Sequence, residues 1–223
     1  LLATACGSGS SSTSTPATTA QATQFPYDLA RANLVNQGFS ADCTFSGQLA
    51  GQTVNGSGRY ALSTPTGATF EGQAGLVRTF TKTGTIAPSN AAPTGSPTLI
   101  YTTSNYEPLG EEPPGEYRVV SASSVPPTKV AVGDSLGTVT MLRYGNSGKL
   151  INIGRVDSIG VVEADSSSSA VLKYVSSVYA IPEFLVQTET LRIRVDTSGA
   201  VRFLSHSVAV TNRTNDVVTC TAK

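Results

Sequence analysis

Five residues in the middle of the chain have the spacing of a catalytic nucleophile. Gly133-Asp134-Ser135-Leu136-Gly137 satisfies Gly-x-Ser-x-Gly, in which glycines let a serine sit on a tight turn with its hydroxyl exposed. A serine hydroxyl is a weak nucleophile until a general base takes its proton, and histidine is the usual base. The chain has a single histidine, His206, so a Ser–His mechanism must bring residues 135 and 206 together or use a carboxylate of shifted pKa. A second set of candidates lies upstream. Glu107-Pro-Leu-Gly-Glu-Glu-Pro-Pro-Gly-Glu116 is a carboxylate-rich segment, and oxygen-rich loops can hold Ca²⁺, here with Glu111 and Glu112 as ligands. Tyr101, Tyr106 and Tyr117 flank it and form a candidate ligand loop, because tyrosine rings stack on ligands such as sugars while their hydroxyls add polar contacts.

Each reading has a plainer rival. Gly-Asp-Ser-Leu resembles the nucleophile block of the GDSL esterase family, and that resemblance implies a serine on a strand-to-helix turn and an Asp-x-x-His pair near the C-terminus. Here Ser135-Leu136 is followed by Gly-Thr-Val-Thr-Met-Leu, a β-branched alternating run, and Phe203 stands three residues before His206. A turn between two strands is the better reading, and no enzyme is expected. His206 shares strand parity with Leu204, Val208 and Val210, which predicts a packed, hydrogen-bonded core histidine. The acidic segment lacks the alternating Asp or Asn of calcium loops and is stiffened by prolines, so a solvated loop is expected. The tyrosines serve equally as rim residues of a core. Gly145-Asn-Ser-Gly-Lys149 lacks the rest of a P-loop and reads as a turn. Cysteine and histidine are too few for a closed zinc site, and no cofactor is expected.

Whatever these side chains do, strands must position them. Only 13% of residues are charged, against about 25% in ordinary soluble domains, and Ser, Thr and Gly supply the polarity instead, which disfavours helices. Fifteen Lys and Arg balance 15 Asp and Glu, which argues against nucleic acid as a partner. No apolar run approaches the roughly 20 residues of a membrane-spanning helix. Period-two patterning dominates. Val54, Gly56, Gly58, Tyr60 and Leu62 alternate with polar residues. Further strands are predicted over Ala68–Gly75, Leu76–Ile86, Leu99–Thr103, Glu116–Ala122 and Ser135–Tyr144. Ile151, Ile153, Ile159 and Val161 occupy one alternate register. Leu185, Leu191, Ile193 and Val195 share a face, opposite Thr188, Thr190, Arg192 and Arg194. Asp196-Thr-Ser-Gly199 reads as a hairpin turn, with Val201–Thr211 running back. One helix is predicted over Asp28–Gly38, with Gly38 as its cap. The expected fold is all-β, an antiparallel meander forming a sandwich or partly closed barrel, one face buried and one wet, with one short N-terminal helix.

Leu1-Leu-Ala-Thr-Ala-Cys6 resembles the end of a bacterial lipoprotein signal peptide, the lipobox, with Ala3 where leucine is usual. The resemblance implies a diacylglycerol on the Cys6 sulfur, cleavage just before it and, since Gly7 and not Asp follows, delivery to the outer membrane. The Gly/Ser/Thr run to about Thr23 has nothing to bury and reads as a flexible tether. Residues 1–24 are thus expected to be signal-peptide remnant, lipidated cysteine and tether, 25–38 a short helix, and 39–223 a single all-β domain. In an oxidising compartment Cys43 and Cys220 are expected to form a disulfide. Phe39, Ala41, Cys43 and Phe45 share one strand face, as do Val218, Cys220 and Ala222, and the bridge would set the first long strand beside the last. The layout of lipobox, tether, helix, Cys43-Thr-Phe-Ser-Gly47, Ser104–Gly110 and Lys129–Asp134 resembles proteobacterial lipoproteins, and that resemblance implies no particular activity. The expectation is an outer-membrane lipoprotein facing the periplasm or the cell surface. It would be held to the membrane by its lipid and would act without catalysis, by binding an envelope protein or contributing structure. The alternatives are a carrier of a lipid or other apolar ligand in a half-open barrel, and a GDSL-like esterase.

Overall fold

The fold comes from a computed structural model in which residues 23–88, 97–211 and 216–223 are described. In chain order the elements are β1 (Phe25–Pro26), α1 (Tyr27–Gln37), β2 (Phe39–Leu49), β3 (Gln52–Leu62), β4 (Thr66–Phe70), β5 (Gln73–Ala87), β6 (Thr98–Thr102) and β7 (Pro108–Glu112). They continue with β8 (Tyr117–Ser123), β9 (Lys129–Val130), β10 (Ser135–Tyr144), β11 (Asn152–Ala164), β12 (Ser169–Ala180), β13 (Phe184–Asp196), β14 (Val201–Val210) and β15 (Val217–Ala222). The large sheet runs β3-β2-β15-β14-β13-β12-β11-β10-β8-β7-β6-β5, and β5 pairs back onto β3. Twelve antiparallel strands therefore close into a barrel. Strand β4 continues along β5 where β3 stops, and β1 and β9 form a separate two-stranded ribbon.

Alternation sorts each strand into an inner and an outer face. The outer face carries exposed short polar residues such as Thr44, Ser46, Ser57 and Thr83. Ion pairs join strands across it, among them Arg59–Asp42 at 2.8 Å and Lys173–Glu163 at 2.9 Å. A Lys or Arg on a lipid-facing wall costs about 2–4 kcal/mol at mid-bilayer, so this wall is suited to water. The inner face carries the core in separate clusters. One, at the end where α1 enters, gathers Phe25, Tyr27, Ala30, Val130, Leu136 and Leu172. A second holds Phe45, Val54, Tyr60, Phe203 and the Cys43–Cys220 disulfide, and a third packs Met141 against Val156 and Val178. Phe45 fits because its inner-face neighbours are glycines: a Cβ on Gly58 would stand 2.6 Å from the ring, and one on Gly84 2.9 Å.

The predicted helix is α1. Pro26 leads into it with φ −75°, Asp28 sits in its first turn, where a carboxylate complements the helix dipole, and Gly38 ends it with φ 61°. Its polar side is tied to the barrel rim, with Asn33 Nδ2 donating to Gly199 O at 2.9 Å and Arg31 Nη2 to Tyr106 O at 2.7 Å. The disulfide joins β2 to β15, neighbours in the wall, so the first long strand does lie beside the last. Three details differ from the sequence patterning. Ile159 faces solvent, because the pairing of β11 with β12 puts Val156 and Val162 on the inner face opposite Val178 and Leu172. The segment 68–75 is interrupted by a turn at Glu71-Gly72, both with positive φ. A register shift between Arg192 and Ile193 turns Phe203 inward in place of Leu204.

Candidate functional site

The barrel is not filled. Eight strands enclose just enough room for their own side chains, and wider barrels leave space. Here two adjoining cavities of about 310 and 380 Å³ lie between α1 and the inner wall, sharing Leu34, Arg78, Ile100, Glu111, Tyr174, Leu191 and Ile193. Strands β5, β6, β7, β12 and β13 supply all of these but Leu34, which comes from α1.

Four of those shared walls are aliphatic, the Tyr174 hydroxyl is bonded to that of Tyr27 at 3.1 Å, and the two charged ones are unusual. Arg78 is only 7% exposed. Its Nη1 reaches Leu34 O at 3.5 Å, the outer limit of a hydrogen bond, and its Nε has no partner. A guanidinium has five N–H donors, and the buried Nε–H is one that no described residue satisfies. Burial lowers its pKa to about 10 against the opposing pull of Glu111, which leaves it a cation at neutral pH. Thr102 lines the same cavity, and its hydroxyl is likewise buried with no partner among the described residues.

Glu111 does not satisfy Arg78, because it is already taken. Arg118 Nη1 donates to Glu111 Oε2 at 3.1 Å, and its Nε donates to Glu116 at 3.0 Å. Arg143 closes the network by donating to both oxygens of Glu116. Burial raises the Glu111 pKa, with Arg118 opposing. Further along the second cavity, His206 Nε2 meets Glu189 Oε2 at 2.9 Å while Nδ1 is buried and unpartnered. Burial pushes His206 below the ordinary histidine value despite Glu189, so at neutral pH the imidazole is neutral and Nε2–H donates. Burial works against the Glu189 carboxylate, but His206, Lys82 and Arg118 hold its pKa down to about 2. Lys82 Nζ stands 5.2 Å from the Phe80 ring centroid and 5.8 Å from that of Tyr60.

The residues singled out by sequence are scattered around this lumen. Ser135 opens β10 at a strand start, not at a strand-to-helix turn, and its Oγ accepts from Gly137 N at 3.1 Å while His206 is bonded to Glu189. Glu111 and Glu112 are successive residues of β7 and so point to opposite wall faces: Glu111 meets Arg118, and Glu112 accepts from the Tyr101 hydroxyl at 3.2 Å. Among the described residues no cluster of His, Cys, Asp or Glu has the geometry of a metal site. Tyr101 and Tyr117 do come together, but their faces are taken by Phe70, whose ring stacks at 4.4 Å on the first and 5.2 Å on the second. Tyr117 also donates to Glu71 at 2.6 Å. Tyr106 lies apart from those two, in the wall of the first cavity against α1, where its hydroxyl accepts from Asn36 Nδ2 at 3.0 Å. Cys6 is outside the described residues. Arg78, Lys82, Arg118 and Glu189 went unnoticed in the sequence, although Arg78, Phe80 and Lys82 share the strand parity of the buried Ile86.

Against known proteins, the chain matches no family model, no curated protein and no solved structure. Its function therefore has to be argued from the lumen itself.

Proposed function

We propose that this chain is a lipid-anchored, non-catalytic protein of the cell envelope that carries a small ligand inside its barrel. The observation that supports the carrier reading is the open lumen beside α1, with aliphatic walls and buried polar atoms that have no partner in the protein. Apolar wall left unfilled forgoes burial worth about 25 cal/mol per Å², and an unpaired buried polar group costs about 1–3 kcal/mol. A barrel serving only as scaffold would gain by filling that space, whereas a bound molecule offsets both costs. The anchor rests on the lipobox resemblance around Cys6, and the water-suited outer wall is compatible with a domain held at a membrane by lipid alone. The test is native mass spectrometry of the full chain purified from its host without denaturant. A small non-covalent mass, lost on unfolding, is expected. A bare chain that also fails to take up the neutral dye N-phenyl-1-naphthylamine would sink the carrier reading.

A second reading, docking to an envelope protein, is favoured by one feature. Leu150 and Ile151, before β11, are 91% and 71% exposed, while Ile181 and Phe184, around the β12–β13 turn, are 59% and 66% exposed. They sit at the barrel end opposite α1, on neighbouring hairpins.

A further inference from the structure

Resting on the carrier reading, we propose that the ligand is an amphipathic anion: an aliphatic body with a carboxylate or phosphate head that is bound by Arg78 and Thr102. Two independent orphans point there. The Arg78 guanidinium is buried with an unpartnered Nε and a single long contact to Leu34 O. The Thr102 hydroxyl is buried and unpartnered too, and both line the cavity of about 310 Å³. They lie on paired strands, where Arg78 stands opposite Ile100 and Thr102 is the next inner position of β6. As diagonal neighbours they put a planar fork of N–H donors and a hydroxyl on one stretch of the inner wall, a donor set that suits an oxyanion.

Charge argues the same way. Among the described residues no carboxylate forms an ion pair with Arg78, because Glu111 is engaged by Arg118. Glu111 nevertheless shares both cavity walls with Arg78, so the head group must come close to a carboxylate. A compact monoanionic or phosphate head on the Thr102 side of Arg78 satisfies that constraint, with Arg118 drawing the Glu111 charge the other way. Lys82, in the wall of the second cavity, has no carboxylate within ion-pair distance among the described residues, although its charge acts on Glu189 in the same wall. Of the rest of the shared wall, Leu34, Ile100, Leu191 and Ile193 are aliphatic and fit a hydrocarbon body, while the Tyr174 hydroxyl is bonded to that of Tyr27. A neutral hydrocarbon would leave the guanidinium and the hydroxyl unsatisfied. A bare inorganic anion would leave the aliphatic walls uncovered.

Calorimetric titration of the full chain at pH 7.5 separates these cases, using octanoate, octyl phosphate, 1-octanol and inorganic phosphate as probes. One or both octyl anions should bind at least about tenfold more tightly than 1-octanol, the margin a charge-assisted hydrogen bond supplies, and which of them binds better identifies the head group. Inorganic phosphate alone should bind far more weakly than octyl phosphate. Arg78→Met should bring the anions down to the affinity of octanol while octanol holds or improves. Arg78→Lys should restore part of the preference, and Thr102→Val should reduce it a few-fold. Circular dichroism on each variant establishes that it is folded. Octanol binding as tightly as the anions, or an unchanged preference in a folded Arg78→Met, overturns the proposal and leaves the carrier reading standing. Inorganic phosphate binding as tightly as octyl phosphate overturns the aliphatic body. If no octyl compound binds, octanol included, the carrier reading fails with it.

Discussion

His206 shows how a lone titratable residue acquires a defined state from its surroundings. It pairs across the wall with Leu191 and Cys220, is 5% exposed, and donates to Glu189. Because it is the chain's one histidine, its ring C–H resonances can be followed by NMR without assignment. The midpoint should fall below the ordinary value of about 6.5, and Glu189→Gln should lower it further by removing the partner that favours the cation. The sign for stability follows by linkage. An unfolded chain takes up the proton near pH 6.5, the folded chain only at lower pH, so the contribution is full above that value and declines as pH falls. The urea midpoint should therefore drop between pH 7.5 and 5.5, and less steeply in His206→Gln. A resonance titrating at or above 6.5, or parallel slopes in the two proteins, would refute the assignment. At this scale the sequence pattern was only partly legible. His206 could be placed on an apolar face, but Arg78, Lys82, Arg118 and Glu189 could not be placed in a lumen. A charged residue within an alternating run is normally taken as the wet side, and only a closed barrel with unfilled space makes the inside polar too.

Elements were easier to read than residues, for a physical reason. Strand and helix each impose one period on side chains, and period two is visible without knowing any partner. The predicted strands over 99–103, 116–122 and 135–144 correspond within a residue or so to β6, β8 and β10, and the predicted helix to α1. Pairing is another matter. Closure depends on β5 meeting β3 across the interruption at Glu71-Gly72, and no local pattern marks which distant strand completes a ring. The Cys43–Cys220 pair was the one long-range contact that spacing and face could suggest, and it ties β2 to β15 across 177 residues of chain. Replacing both cysteines by serine should cost roughly 2–5 kcal/mol, a fall of about 10 °C in melting temperature at this size. The measurement is differential scanning calorimetry beside wild type. A shift below about 2 °C, the effect of under 1 kcal/mol, would mean that the strand pairing alone holds this seam.

At the scale of the whole molecule, two halves of the architecture divide the work. The chain enters the described fold at β1 and α1, at one end of the barrel, and the exposed Leu150, Ile151, Ile181 and Phe184 stand at the other. An anchor on Cys6 would thus join the barrel at its α1 end. The outer wall between the ends is polar, with ion pairs such as Arg155–Asp157 at 2.7 Å and Arg194–Asp165 at 2.7 Å, so it contributes little affinity for lipid. Membrane attachment and barrel stability should then be separable. Expressed with its signal peptide, wild type should partition into the detergent phase of Triton X-114, because two or more acyl chains give stable anchoring where the protein surface gives none. Cys6→Ala should move the chain to the aqueous phase while leaving its melting temperature and its uptake of octanoate unchanged, since no described contact of the barrel involves residue 6. Retention of Cys6→Ala in the detergent phase would show that the body itself binds the membrane, and the exposed apolar hairpins would be the first place to look. Loss of octanoate uptake in the same variant would instead mean that the segment before residue 23 helps to build the lumen, and the barrel could no longer be treated as a carrier complete in itself.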